Sequence, residues 1–250
     1  MRFIFFIGIL LAVYGCHKKE LFTFEEQKFT IDSIVGCKTE DCASVEINLI
    51  KVIDNHTITN AINTQIEQAA CSILNIDENG ALTTVKDAIR QFNTSYQNIS
   101  KQFPDETTPY EATIDCKLGF QCKSLISIAI DSYVYTGGAH GYGGVSYINM
   151  DAINGKRLSN KALFKDYNGF LNHAEKAFRV QHKILDDSPI NSTGFFFEND
   201  TFSLPENIGL TDTEVILLYN PYEISSYAEG SIELKLNKQD VASYFAFDIL

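Results

Sequence analysis

Between residues 44 and 52, Val45, Ile47 and Leu49 interleave with Glu46 and Asn48, a period of two that predicts a strand with one wet face. The period then lengthens. Over 59–74, Ile62, Ile66, Ala69, Ala70 and Ile73 share one helical face, with Cys71 nearly opposite Ile62. Over 82–103, Val85, Ile89, Phe92, Tyr96, Ile99 and Phe103 recur in alternating steps of four and three, the clearest helical stripe in the chain. Pro104 lacks the backbone donor that a further turn needs and ends that helix. Stripes of this kind read as core-facing surfaces rather than as cofactor contacts.

Beyond 103–110, which carries Pro104 and Pro109, the texture turns from helical to strand-rich, and this segment is the expected domain boundary. Period-two alternation predicts strands at 110–118 and 123–135, joined by a turn bracketed by Cys116 and Cys122. Strands at 143–151 and 155–158 flank Ile153-Asn154-Gly155, an Asn-Gly hairpin signal. A helix at 168–185 presents Leu171, Ala174, Ala177, Phe178 and Ile184. Strands follow at 194–198, 214–219 and 231–236, with a short helix at 238–244. The fold class is α+β: a small N-terminal α+β unit over 31–108, then a strand-rich α+β domain with an antiparallel sheet over 109–250.

The first residues change the picture of where such a protein works. Arg2, an apolar run from Phe3 to Val13, and Gly15 before Cys16 have the layout of a signal peptide, and the run is shorter than the ~20 residues that span a bilayer. Val13-Tyr14-Gly15-Cys16 resembles the lipobox of bacterial lipoproteins, with Tyr14 bulkier than the usual occupant. The expectation is cleavage after residue 15, acylation of Cys16, as by palmitate, and a tether over 16–30, the alternative being a plain secretory signal with an incidental cysteine. The protein would then be anchored by lipid to a membrane of the cell envelope, facing the periplasm or the exterior. Each buried methylene stabilises such attachment by about 0.8 kcal/mol.

Cysteine use agrees with export. In an oxidising compartment Cys37/Cys42 and Cys116/Cys122 could each staple a local loop, leaving Cys71 over, while the alternative is that all five are reduced and packed. Neither pair has zinc-ligand spacing and no histidine cluster accompanies them, so no metal or other cofactor is expected. At 45% hydrophobic and 21% charged, the 250 residues exclude a wholly disordered or fibrous chain.

The most unusual local sequence runs from Tyr133 to Gly144, with five glycines within eight positions after a predicted strand. Glycines permit a sharp turn or the close approach of another backbone. The motif is neither a P-loop nor a dinucleotide fingerprint, since the Lys-Ser/Thr of the former is missing. Tyr135, Gly137, Gly138, His140, Gly141 and Tyr142 are the candidate ligand-binding residues here, and the competing reading is a structural bend with His140 merely packed.

Tyr135-Thr136-Gly137-Gly138-Ala139-His140-Gly141, then Asn149-Met150-Asp151 and Asn154-Gly155-Lys156-Arg157-Leu158, with Leu163-Phe164 beyond, resemble an uncharacterised domain family. That family occurs in the extracellular part of a lysozyme-sensing bacterial anti-sigma factor and beside the catalytic domain of some peptidoglycan deacetylases. Phe195-Phe196-Phe197-Glu198, the run from Glu214 to Ile224 and the run from Ser225 to Gly230 fit the same pattern, so the resemblance covers 110–244. It implies an extracellular α+β domain and carries no common activity. The chain lacks the membrane-linked second half of an anti-sigma factor and the aspartate–histidine metal motif of the deacetylases.

Charge supplies an independent clue. The chain carries a formal −12, and from 186 onward twelve carboxylates face only Lys235 and Lys238. Such a surface attracts cationic partners and repels nucleic acid, or else only keeps the protein soluble. Phe195 to Phe197 with Tyr219, Tyr222 and Tyr227 offer aromatic area for recognition, against the commoner reading of strand packing. Tyr222 and Tyr227 join the ligand-binding candidates. No Gly-x-Ser-x-Gly elbow or His-Glu-x-x-His motif occurs, and no spacing singles out Asp131, Asp151 or Glu198 as a catalytic pair, so no catalytic residue is expected. The expected function is binding of a basic wall-active protein such as lysozyme, or of a cell-wall glycan. The alternative is an envelope hydrolase using His140 and a carboxylate.

Overall fold

The computed structural model describes residues 21–37, 41–54, 57–76, 82–104 and 108–250. The expected signal peptide and Cys16 lie outside them. Two sheets organise the chain. The larger has five strands in the order β1 (Phe24–Thr30), β2 (Ser44–Val52), β3 (Glu111–Gln121), β4 (Leu125–Tyr135) and β5 (Tyr142–Asp151). All pairs are antiparallel except β2 with β3. A parallel pair needs a crossover, and here it is two helices, α2 (Thr59–Leu74) and α3 (Val85–Gln102). The short α1 (Ile31–Val35) connects β1 to β2 and packs against α3.

The helical stripes face the sheet as their periods require. Val85, Ile89, Phe92 and Tyr96 are buried, whereas Ile99 and Phe103 emerge exposed at the end of the helix. Thr84 caps α3 by accepting from the Asp87 N–H. Cys71 is buried although it lies opposite Ile62, because α2 is packed against α3 as well as against β2.

The second sheet is antiparallel, β6 (Asn207–Leu210), β7 (Glu214–Tyr219) and β8 (Ile232–Asn237). Its core includes Phe170, Ala174 and Phe178 of α4 (Tyr167–His182) and Val241 of α5 (Lys238–Val241). Alternation decides which core each residue joins. On β4, Ile126, Ile128 and Ile130 face the α2–α3 layer, whereas Leu125 joins the core of the second sheet and Ser127 meets β6. A register shift between Leu118 and Phe120 moves Phe120 from the first core to the second.

The two sheets meet closely at β6. A Cβ on Gly209 would stand 2.1 Å from the Tyr147 ring, and one on Gly119 would stand 2.6 Å from the Leu210 carbonyl oxygen. Side chains satisfy the free edge of β6: the Leu210 N–H donates to Ser127 Oγ at 3.1 Å, and Asn149 Nδ2 donates to the Ile208 carbonyl at 2.7 Å.

Several expectations need correction. The boundary at 108/109 does not coincide with the packing, because β3 pairs with β2 across it and one core holds residues from both sides. Cys37 and Cys42 are bridged, but Cys116 and Cys122 are not. Their strand continues to Gln121, so six extended positions hold them about 20 Å apart, far beyond disulfide reach. Residues 194–198 form no strand. Asn191 takes the place of a partner strand, its Oδ1 accepting from the Phe197 N–H and its Nδ2 donating to the Phe197 carbonyl. The segment 155–158 makes only a bridge, Met150 with Arg157.

Candidate recognition site

The glycine-rich stretch forms the loop of the β4–β5 hairpin. Gly137 and Gly138 take φ of 95° and 89°, which a side chain would strain. Gly141 serves close approach instead, since a Cβ there would stand 2.5 Å from the Tyr133 ring. Tyr135 Oη donates to the Gly138 carbonyl at 3.1 Å and ties the loop to its own strand. His140 is left exposed near the tip, its Nδ1 3.0 Å from the Gly141 carbonyl oxygen. That carbonyl can only accept, so Nδ1 donates to it.

The other half of the site comes from the connection between β7 and β8. Tyr227 stacks on His140 with ring centroids 4.4 Å apart, and its Oη donates to the same Gly141 carbonyl at 3.2 Å. Tyr222 lies 5.5 Å from Tyr227, centroid to centroid, and is 58% exposed. Its φ of 71° is rare for a residue with a bulky side chain. Tyr142, half exposed, stands at the start of β5 on the same hairpin.

One asparagine joins the two halves. Asn220 Oδ1 accepts from the Val145 N–H at 3.0 Å and its Nδ2 donates to the Val145 carbonyl at 2.9 Å, in place of a strand partner on β5. Glu223 braces the turn by accepting from the N–H groups of Asn220 and Glu206 at 2.9 and 3.1 Å. Burial pushes the Glu223 carboxyl above its ordinary range, and those two donors partly oppose the shift. Burial, and then the charge of Glu223, push the Tyr142 phenol upward as well.

A groove of about 430 Å³ lies along the same connection, lined by His182, Phe195, Phe196, Ser225 and Glu229 among others. Phe196 is half exposed, and Ser225 is buried with its Oγ unpartnered among the described residues. Phe197 and Tyr219 belong instead to the core around Phe178, with Tyr219 Oη donating to the Ser203 carbonyl.

The structure thus brings His140, Gly141, Tyr142, Tyr222 and Tyr227 together from segments some eighty residues apart in sequence. It does not bring a carboxylate to His140: among the described residues none bonds the imidazole. Asp151 holds the 151–154 turn through the Ile153 N–H and Asn154 Nδ2. No group of three or more metal-type ligands occurs among the described residues. Sequence reasoning missed the organising roles of Asn220 and Glu223, although both stood inside the resemblance motif.

The fold and this face define an α+β protein of two stacked sheets, each with its own helical layer. Residues 160–239 match the family described as a protein of unknown function, DUF3298, and residues 37–142 match the family described as deacetylase PdaC. The DUF3298 match falls inside the stretch 110–244 over which the sequence motifs resemble an uncharacterised domain family. A DUF3298 family member from Bacteroides fragilis has the same fold, with a TM-score of 0.68 at 20% identity over 91% of this chain and 94% of that one. A DUF3298 family protein from Pseudomonas aeruginosa gives 0.64 at 22% identity, covering 92% and 97%. No curated protein matches the chain.

Proposed function

We propose that the protein is a lipid-anchored binding protein of the cell envelope, and that the His140–Tyr227–Tyr222 face recognises a basic wall-active protein such as lysozyme. The observation that carries this reading is Tyr222: an aromatic residue held at φ 71° and left largely in solvent. Such backbone strain persists only where the surroundings over-determine it, and it collects at ligand-contacting positions. Tyr222 gives the core no compensating burial. Rigid tyrosines supply contact area at low entropic cost, and the acidic C-terminal segment would steer a cationic partner toward them. The PdaC and DUF3298 matches support an envelope association, and the signal-peptide-like layout of residues 1–16 supports the anchor. Catalysis is not part of the proposal: the Nδ1 position faces a backbone carbonyl, and no carboxylate among the described residues bonds the ring.

Titration of the protein with lysozyme at about 50 and about 300 mM salt tests the proposal. Capture should weaken at the higher salt and fall at least about tenfold in Tyr222→Ser and Tyr227→Ala variants. Capture of soluble peptidoglycan fragments, lost in the same variants and insensitive to salt, would transfer the site to a glycan. Absence of both, or equal binding by the variants, would reject it.

A further inference from the structure

A second cleft, of about 780 Å³, lies between the segment 157–168 and residues 204–206, where the Glu206 N–H donates to Glu223 of the tyrosine-bearing turn. Its volume is that of a small-molecule site. Its lining runs against the character of the chain. The protein carries −12 overall, yet Arg157, Lys161 and Lys165 fall within nine positions on one wall. All three are exposed, and none forms an ion pair with a described residue. Tyr167 and Asn168, the first residues of the sixteen-residue helix α4, line the same cleft.

The floor supplies the second observation. Asn149 is 3% exposed, and its Nδ2 is committed to the Ile208 carbonyl. Its Oδ1 has no partner among the described residues, although Asn149 lines this cleft. A buried amide oxygen in that state calls for a donor from whatever fills the space. Two carboxylates, Asp166 and Glu206, stand on the lining as further acceptors, and Asp166 also caps α4 through the Gly169 N–H. The walls are fixed in advance: Asn160 Nδ2 donates to the Pro205 and Glu206 carbonyls, and the Lys165 and Asp166 N–H groups donate to the Tyr244 carbonyl.

We propose that this cleft binds an acidic sugar, a ligand with one anionic group and several hydroxyls. Arg157, Lys161 and Lys165 hold the anion, while Asn149 Oδ1, Asp166 and Glu206 accept from hydroxyls. Cations alone would serve any anion. Acceptors interspersed among them select one that also donates, and they disfavour a polyanion such as nucleic acid.

Calorimetric titration of the protein with glucuronic acid, glucose 6-phosphate, glucose and inorganic phosphate tests this. One of the two acidic sugars should bind with Kd near or below about 1 mM, and the better of the two identifies the anionic group as carboxylate or phosphate. Glucose and inorganic phosphate should each bind at least about tenfold more weakly. Arg157→Gln with Lys161→Gln should remove the binding at least about tenfold, whereas Lys176→Gln, exposed on α4 outside the cleft, should leave it unchanged. No binding of either acidic sugar, inorganic phosphate binding as tightly as the sugars, or full binding by the double variant would overturn the proposal. Tyrosine-face variants should have no effect, so this result stands apart from the lysozyme titration.

Discussion

Lys238 is among the largest fully buried side chains, and its Nζ has no hydrogen-bond partner among the described residues. It sits over the ring of Phe120, 3.1 Å from the centroid. Burial lowers its pKa from 10.5 to about 8, against the smaller upward pull of Asp212 and Cys122. At neutral pH the ammonium is therefore charged in the folded state at a cost. A depression of this size corresponds to about 3 kcal/mol of stability forgone below pH 8, at 1.36 kcal/mol per pH unit. Lys238→Met keeps the length and removes the charge, at the loss of a cation–π contact worth on the order of 1–2 kcal/mol. The variant should be more stable than the parent at pH 7 by about 2 kcal/mol, or roughly 4–8 °C in Tm for a chain of this size. The sign of the pH dependence follows from proton counting. Between pH 8 and 10.5 the unfolded lysine holds a proton that the folded one has lost, so the parent gains stability as pH rises through this window. The parent should recover about 2–3 kcal/mol on the variant between pH 7 and pH 10. The raised thiol pKa values of Cys71 and Cys116 give an opposite slope above pH 9, but they are common to both proteins and cancel in the difference. Urea unfolding of both proteins at the two pH values measures it. A variant less stable at pH 7, or a gap that does not change with pH, refutes the reasoning.

Burial pushes the Cys71 thiol up to about 11 and the Cys116 thiol to about 12, so iodoacetamide at pH 8 should modify Cys122, which is half-buried, and spare the other two until the protein unfolds; peptide mapping by mass spectrometry reads this directly. Cys37→Ser opens the loop closed with Cys42 and should cost about 2 kcal/mol in denaturant unfolding, the entropy of so short a loop; a cost near zero would place that segment outside the cooperative unit. Asn220→Ala removes both side-chain bonds to Val145 and should cost roughly 1–3 kcal/mol, with a matching loss of the His140–Tyr227 stacking in NMR ring-current shifts. Tyr222→Gly should hold stability level or raise it by about 0.5–1 kcal/mol, because glycine relaxes φ 71°, while abolishing lysozyme capture.

The elements that could be read were those whose pattern is long and locally complete. The strand at 44–52 and the helix at 59–74 have in the structure the same bounds that their periods predict. β1 was not legible because Glu25, Glu26, Gln27 and Lys28 leave no alternation, as suits an edge strand with little burial. β6 has four residues, too few for any period to show. The phenylalanines at 195–197 look like a strand, yet Phe195 and Phe197 are gathered around Phe178 by loop bonds from Asn191, and composition cannot distinguish the two. The site divides in the same way. Its glycine loop announces itself, but that Tyr222 and Tyr227 arrive beside it depends on the Asn220 bonds to β5, a long-range fact carried by one polar side chain.

Asn149, Ser225 and Lys238 are buried with a polar atom unpartnered among the described residues, and their settings separate what such an atom means. An orphaned polar group costs stability wherever it sits, so position alone decides whether that cost serves anything. Lys238 lies in a core against Phe120, where nothing can reach it, and its replacement should therefore stabilise without affecting binding. Asn149 and Ser225 line two separate clefts, one beneath three unpaired cations and the other beside the exposed Phe196, where an incoming ligand can complete the missing bond. A polar atom left wanting at the wall of a groove is a local conflict that binding resolves, whereas the same atom under an aromatic ring is only a strain that the rest of the fold outweighs.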